Sequence, residues 1–144
     1  MDDESIDTSA IDGIIGYRLR RAQVAVFARF QQRFAAVALK PADYATLVLV
    51  ADNPGLRPSQ IAMVLGIRRA NFVGLANRLE ARGLIERHPL SGDRRAHTLA
   101  LTAEGRALVR RLRTMQDDFE VELVAELGGA AERDRLLALL ARLG

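Results

Sequence analysis

A mainly α-helical fold with one small β-hairpin is predicted by three observations. Apolar residues recur at helical spacing through most of the chain. Two short runs with strand character, Leu84 to His88 and Ala96 to Leu101, flank a tip that holds Pro89, Ser91 and Gly92. The positive charge gathers in the middle: from Arg57 to His97 eight arginines stand against three acids, whereas from Arg113 to Gly144 four arginines stand against seven. With 144 residues and 49% hydrophobic content, the chain has the size and core material of one domain.

Residues 1–10 are polar, acidic and aperiodic, which predicts a mobile arm. From Ile11 to Leu39 the apolar positions Ile15, Leu19, Ala22, Val26 and Phe30 keep helical step, and no proline occurs before Pro41, so one long helix is expected. It has more apolar positions than one contact face needs, which points to a second subunit. Pro41 opens the next helix with Asp43 in its first turn, and Tyr44, Leu47, Val48 and Ala51 are its expected buried stripe. Asn53, Pro54 and Gly55 end it. A short helix then begins at Pro58, turns Ile61, Ala62 and Leu65 inward, and stops at Gly66.

The helix expected over 69–82 has two unlike sides. Phe72, Leu75, Ala76 and Leu79 share one, and Ala70, Asn71, Gly74, Asn77 and Arg78 share the other. A small, amide-bearing and basic face lets a helix approach the floor of a DNA major groove, where Asn71 would pair with adenine and Arg78 would reach guanine or phosphate. Ser59, Gln60, Arg68 and Arg69 stand near the same two helix starts and are assigned to DNA contact with Asn71, Asn77 and Arg78. The hairpin follows at once, its tip carrying Asp93, Arg94 and Arg95. Helix-turn-helix plus basic hairpin predicts a winged helix-turn-helix that binds double-stranded DNA.

Thr102 is placed as the N-cap of a second long helix, with Glu104 in its first turn and Leu108, Leu112, Met115, Phe119, Leu123 and Leu127 in step. Gly128 and Gly129 break it. The last segment, residues 131–143, is too rich in leucine for a lone helix in water. The chain ends, 11–39 and 102–144, are therefore expected to form a helical dimerisation region, and 41–101 the DNA-binding region of a single domain.

Other chemistries find little support. The chain has no cysteine, so disulfides and thiolate zinc sites are excluded. His88 and His97 could meet across the hairpin, but two imidazoles without a carboxylate set make a poor metal site. No phosphate-cradling glycine loop or nucleophile elbow occurs, so no cofactor, metal or catalytic residue is expected. The chain has no long uncharged apolar tract and starts acidic, which predicts a cytoplasmic protein.

The run Leu79-Glu80-Ala81-Arg82-Gly83-Leu84-Ile85-Glu86-Arg87, then Asp93-Arg94-Arg95, then Leu99-Ala100-Leu101-Thr102-Ala103-Glu104-Gly105, resembles the multiple antibiotic resistance regulator (MarR) family. The resemblance spans the chain from about Gly16 to its end. It implies a homodimeric transcription regulator, more often a repressor, on a pseudo-palindromic operator. Asp93 would brace the wing, and Arg95 would enter a minor groove, whose negative potential attracts arginine. It also implies an effector, a small aromatic acid or its acyl-CoA thioester. Phe27, Phe30, Phe34 and Tyr44 would then line its cleft, with Arg18 or Arg21 meeting its anion, unless these aromatics are simply core. Gly74 and Arg68 depart from the family pattern, which often has a polar side chain and a serine cap there. They keep open an alternative: a helical-dimer interaction adaptor whose wing no longer reads DNA.

Overall fold

The computed structural model describes residues 6–93 and 95–144, which form two compact units, the first ending at Pro41 and the second running from Ala42 to Gly144. The first holds α1 (Ser9–Asp12), α2 (Ile15–Arg33) and a 3-10 turn at Ala35–Val37. The single helix expected from Ile11 to Leu39 is thus broken at both ends. Gly13 and Ile14 interrupt it early, where glycine has poor helix propensity. Phe34 leaves helical geometry, and Ala38 turns left-handed at φ 50°. The tighter 3-10 step brings residues three apart onto one side, and Phe34, Val37 and Leu39 are all buried. The apolar run Phe34-Ala35-Ala36-Val37-Ala38-Leu39 has no punctuation to announce that turn. Residues 1–5 of the expected arm lie outside the described residues, and Ser9 and Ala10 already begin α1.

The second unit takes in α3 (Pro41–Asp52) from Ala42 onward. After it come α4 (Pro58–Leu65), α5 (Arg69–Ala81), the strands β1 (Ile85–Pro89) and β2 (His97–Leu101), and helices α6 (Ala103–Leu127) and α7 (Ala130–Leu140). The stripe expected on α3 is corrected: Asp43, Thr46, Leu47 and Val50 are the buried residues, while Tyr44, Val48 and Ala51 are half-buried. The helix is apolar nearly all round, so periodicity could not pick its inner face. Thr46 is buried without cost because its hydroxyl donates to the Ala42 carbonyl at 2.8 Å. Gly66, at φ 64°, closes α4 as a left-handed C-cap and turns the chain into α5.

β1 and β2 pair antiparallel with Ile85 opposite Leu101 and Pro89 opposite His97. Ile85, Leu99 and Leu101 point into the core, and β2 is held from its outer edge where the Leu99 amide donates to the Leu56 carbonyl at 2.9 Å. The hairpin base is locked onto α6 by Thr102. Its hydroxyl donates to the Gly83 carbonyl at 2.6 Å and accepts from the Gly105 amide at 3.0 Å, while its own amide donates to the Leu84 carbonyl at 3.1 Å. Gly105 lies against that same Leu84 carbonyl, and a Cβ there would overlap it. α6 ends at Gly128, and neither α7 nor the segment after it contains a buried residue, with Leu137, Leu139 and Leu143 among its exposed side chains.

Gly105→Ala is therefore expected to destabilise the protein by about 2–3 kcal/mol or more, since neither the helix backbone nor the Leu84 backbone can yield cheaply. Chemical denaturation checks this; a change under about 0.5 kcal/mol would contradict the close approach.

Candidate nucleic-acid interface

α5 is positioned by its buried side. Phe72, Leu75, Ala76 and Leu79 are each at most 4% exposed, as the sequence pattern requires, and this leaves Ala70, Asn71, Asn77 and Arg78 outward with Gly74 half-covered. Arg68 precedes the helix without making a side-chain cap. The helix start is secured instead by packing, and its free amides remain available to an anion such as a backbone phosphate.

A groove of about 320 Å³ runs between α4, α5 and the start of β2. Arg57, Arg69 and Arg95 come to it from three different elements, joined by Ser59, Val73 and His97. None of the three arginines has a carboxylate partner among the described residues, so their charge is offered outward. Here the turn before α4, the start of α5 and the wing present charge together. On the wing side of the groove, Asp93 Oδ1 accepts from the Arg95 amide at 2.9 Å. Arg94 lies outside the described residues.

The remaining assigned residues are divided differently from the expectation. Gln60 uses its Oε1 to accept from the Arg57 amide at 2.9 Å, so its carbonyl caps α4. Asn71 is exposed and stands clear on the outer side of α5. Asn77 Oδ1 accepts from Arg87 Nη2 at 2.5 Å, and Arg87 Nε also meets Glu80 at 3.1 Å, so β1 is tied to α5 through this pair. Arg78 is bound back to the protein, with Nη2 3.5 Å from Asp43 Oδ1. Asp43 is 5% exposed, and a buried carboxylate is costly without a cation beside it. Arg78 thus serves first to tie α5 to α3. Nothing in the sequence linked these two positions, 35 residues apart.

Arg57, Val73 and Arg87 are the other residues that sequence reasoning left out of the site. Arg57 was counted only as charge. Val73 falls between the two sides of the wheel, and it is 54% exposed.

The histidines do not meet. His88 pairs with Thr98 and His97 with Pro89, so their side chains stand on opposite faces of the ribbon, and His88 Nε2 lies 3.0 Å from Glu86 Oε1. The expected approach across the hairpin is corrected by this one-residue register offset.

Of the assigned ligand residues, Arg18, Arg21 and Phe27 are exposed along α2. Arg21 Nη1 donates to the Tyr17 hydroxyl at 3.1 Å, and its guanidinium also lies over that ring. Phe30 and Phe34 are buried and stacked, with centroids 4.0 Å apart. The Tyr44 hydroxyl is pushed above its ordinary value of 10.0 chiefly by burial, so it is a neutral donor near pH 7.

Removing the two ends of the Arg78–Asp43 pair should cost unequal amounts. Arg78→Ala strips a buried carboxylate of this cation and is expected to lower stability by about 1–3 kcal/mol. Asp43→Ala leaves an arginine already 58% exposed, and the part lost through the pair itself should be below about 1 kcal/mol. Denaturant midpoints of the two variants and the double variant measure the coupling; additive losses would contradict the pairing.

Residues 39–96 match the MarR family model. Over 132 residues the chain is 34% identical to the putative transcriptional regulatory protein for the hcr operon of Thauera aromatica, which covers 91% of this chain and 79% of that protein. It is also 34% identical over 85 residues to the transcriptional repressor MprA of Escherichia coli (strain K12), a match spanning 59% of this chain and 48% of MprA. Among solved structures, the transcriptional repressor CouR bound to a 23-mer DNA duplex superposes with a TM-score of 0.88 at 39% identity, over 96% of this chain and 97% of CouR. CouR bound to p-coumaroyl-CoA gives the same TM-score at 37% identity, over 96% of each chain. Sequence motif, hairpin topology and these likenesses agree, and the chain belongs to the MarR family of transcription regulators.

Proposed function

We propose that the protein is a homodimeric, sequence-specific repressor that leaves its operator when an aromatic acyl-CoA thioester binds. The observation that carries the DNA reading is the groove where Arg57, Arg69 and Arg95 converge beside the small face of α5. Each subunit sets α5 in a major groove and Arg95 in the flanking minor groove, while Ser59, Arg68 and Arg69 face phosphates and Asn71 and Asn77 face base edges. Arg78 joins them from its place beside Asp43.

Residues 41–101 make up the DNA-binding part and 11–39 with 102–144 the dimerisation part. Support for the latter is the apolar surface left on α2 and α7, including Leu19, Val24, Leu137 and Leu139, which water tolerates poorly. A two-fold dimer places two α5 helices about 34 Å apart, one turn of DNA. No helix among the described residues is long and apolar enough to cross a membrane. The cytoplasm, where the DNA is, is the compartment we assign.

The effector class follows from the likeness to CouR over nearly the whole chain, one structure of which holds p-coumaroyl-CoA. Arg18 and Arg21 are suited to the phosphates of coenzyme A and the exposed Phe27 to the aromatic acid, whereas the buried, stacked Phe30 and Phe34 belong to the core. An adaptor that ignores DNA is disfavoured by the three outward arginines, which have no carboxylate partner among the described residues.

Fluorescence anisotropy on an operator selected from random duplexes tests both halves. Affinity should fall steeply with salt and exceed that for random DNA by about 10³-fold or more; a flat salt response would favour the adaptor. Arg95→Ala should lose about 1–3 kcal/mol of operator affinity at fixed salt with the dimer intact, and unchanged affinity would remove the wing from the interface. Aromatic acyl-CoA should release the operator where free coenzyme A does not; release by the free acid alone would move the effector class.

A further inference from the structure

Val73 is not among the buried residues that seat α5. It stands on the flank of α5 between its buried and outer sides, more than half exposed, one turn from Arg69 and one turn from Asn77, at the edge of the arginine-lined groove. A β-branched residue is a weaker helix former than alanine, and its exposed surface gains nothing in the free protein. Its neighbours are unusually low. Ala70 carries one methyl, and Gly74 has open space where a Cβ would stand, apart from the tip of Arg78 at 3.9 Å. Gly74 is in ordinary helical backbone, so conformation does not require glycine there. Beside these small residues Val73 is thus a short apolar projection among the polar side chains of Asn71, Asn77 and Arg78.

We propose that Val73 reads the C5 methyl of a thymine, one in each half of the operator. In the major groove the thymine methyl is the apolar group that the bases present, and a branched aliphatic side chain is its natural contact. Ala70 and Gly74 let the α5 backbone come close enough for so short a side chain to touch it. The inference rests on α5 being the groove-binding helix, and it adds an apolar reader to the polar set of Asn71 and Asn77.

The experiment uses the full-length protein and the selected operator, with each symmetric pair of thymines replaced in turn by deoxyuridine, which removes the methyl alone. One pair should respond, with a loss of about four-fold per contact, the factor for one methyl-sized group. Val73→Ala should lose a similar factor on the unmodified operator and be indifferent to deoxyuridine at that pair, while circular dichroism shows the helix content unchanged. Val73→Thr, which keeps one methyl, should retain the response. If wild type binds its operator specifically yet tolerates deoxyuridine everywhere, or if Val73→Ala keeps the full deoxyuridine response, the inference is overturned and DNA reading stands. If no sequence is enriched from random duplexes, DNA reading fails and the thymine contact with it.

Discussion

The direction in which the wing leaves α5 depends on the junction at Thr102. One hydroxyl and one amide join the end of the α5 turn, the first residue before β1 and the start of α6 through contacts of 2.6–3.1 Å. Hydrogen bonds of this kind contribute about 1 kcal/mol each, but their geometry is worth more than their sum. They fix the direction in which the hairpin leaves the helix, and Gly105 lets the α6 backbone approach the Leu84 carbonyl more closely than any side chain would allow. The wing tip, some ten residues from this base, inherits its aim from it.

From that frame the site is assembled by convergence. Arg57 comes from the turn before α4, Arg69 from the first position of α5, and Arg95 from the wing, so no two belong to the same element. Three uncompensated guanidinium groups around one groove repel one another, a cost the free protein bears and a polyanion relieves. Other charged groups are committed to the scaffold: Arg78 to Asp43, Arg87 to Glu80 and Asn77, Arg113 to Asp52. What sets Arg57, Arg69 and Arg95 apart, in a chain of twenty arginines and one lysine, is that they meet at one groove.

How much of this was legible in the sequence depended on whether the signal was local. The hairpin, the Thr102 cap, the Gly66 stop and the buried side of α5 are set by residues within a few positions of one another, and each was readable. The end of α2 was not, because Phe34 to Leu39 looks like more helix until their burial is known. The inner face of α3 was hidden by its uniform apolarity. Asp43 was read as a helix-dipole residue and proved to be the buried partner of Arg78, a pairing across 35 positions that only the fold brings together. Asn77 and Gln60 were assigned to DNA on residue type; the fold shows each with one carbonyl already engaged. Val73 was overlooked because an exposed valine has no pattern.

The central claim is that α5 and the wing act together on one duplex, affinity coming mainly from the arginines and sequence choice from the outer side of α5. Its most direct test is a hydroxyl-radical and base-methylation footprint of the protein on its selected operator. The account predicts two major-groove patches protected about one helical turn apart, each flanked on its outer side by a protected minor-groove stretch. Protection confined to the minor groove, or a single unsymmetric patch, would contradict it.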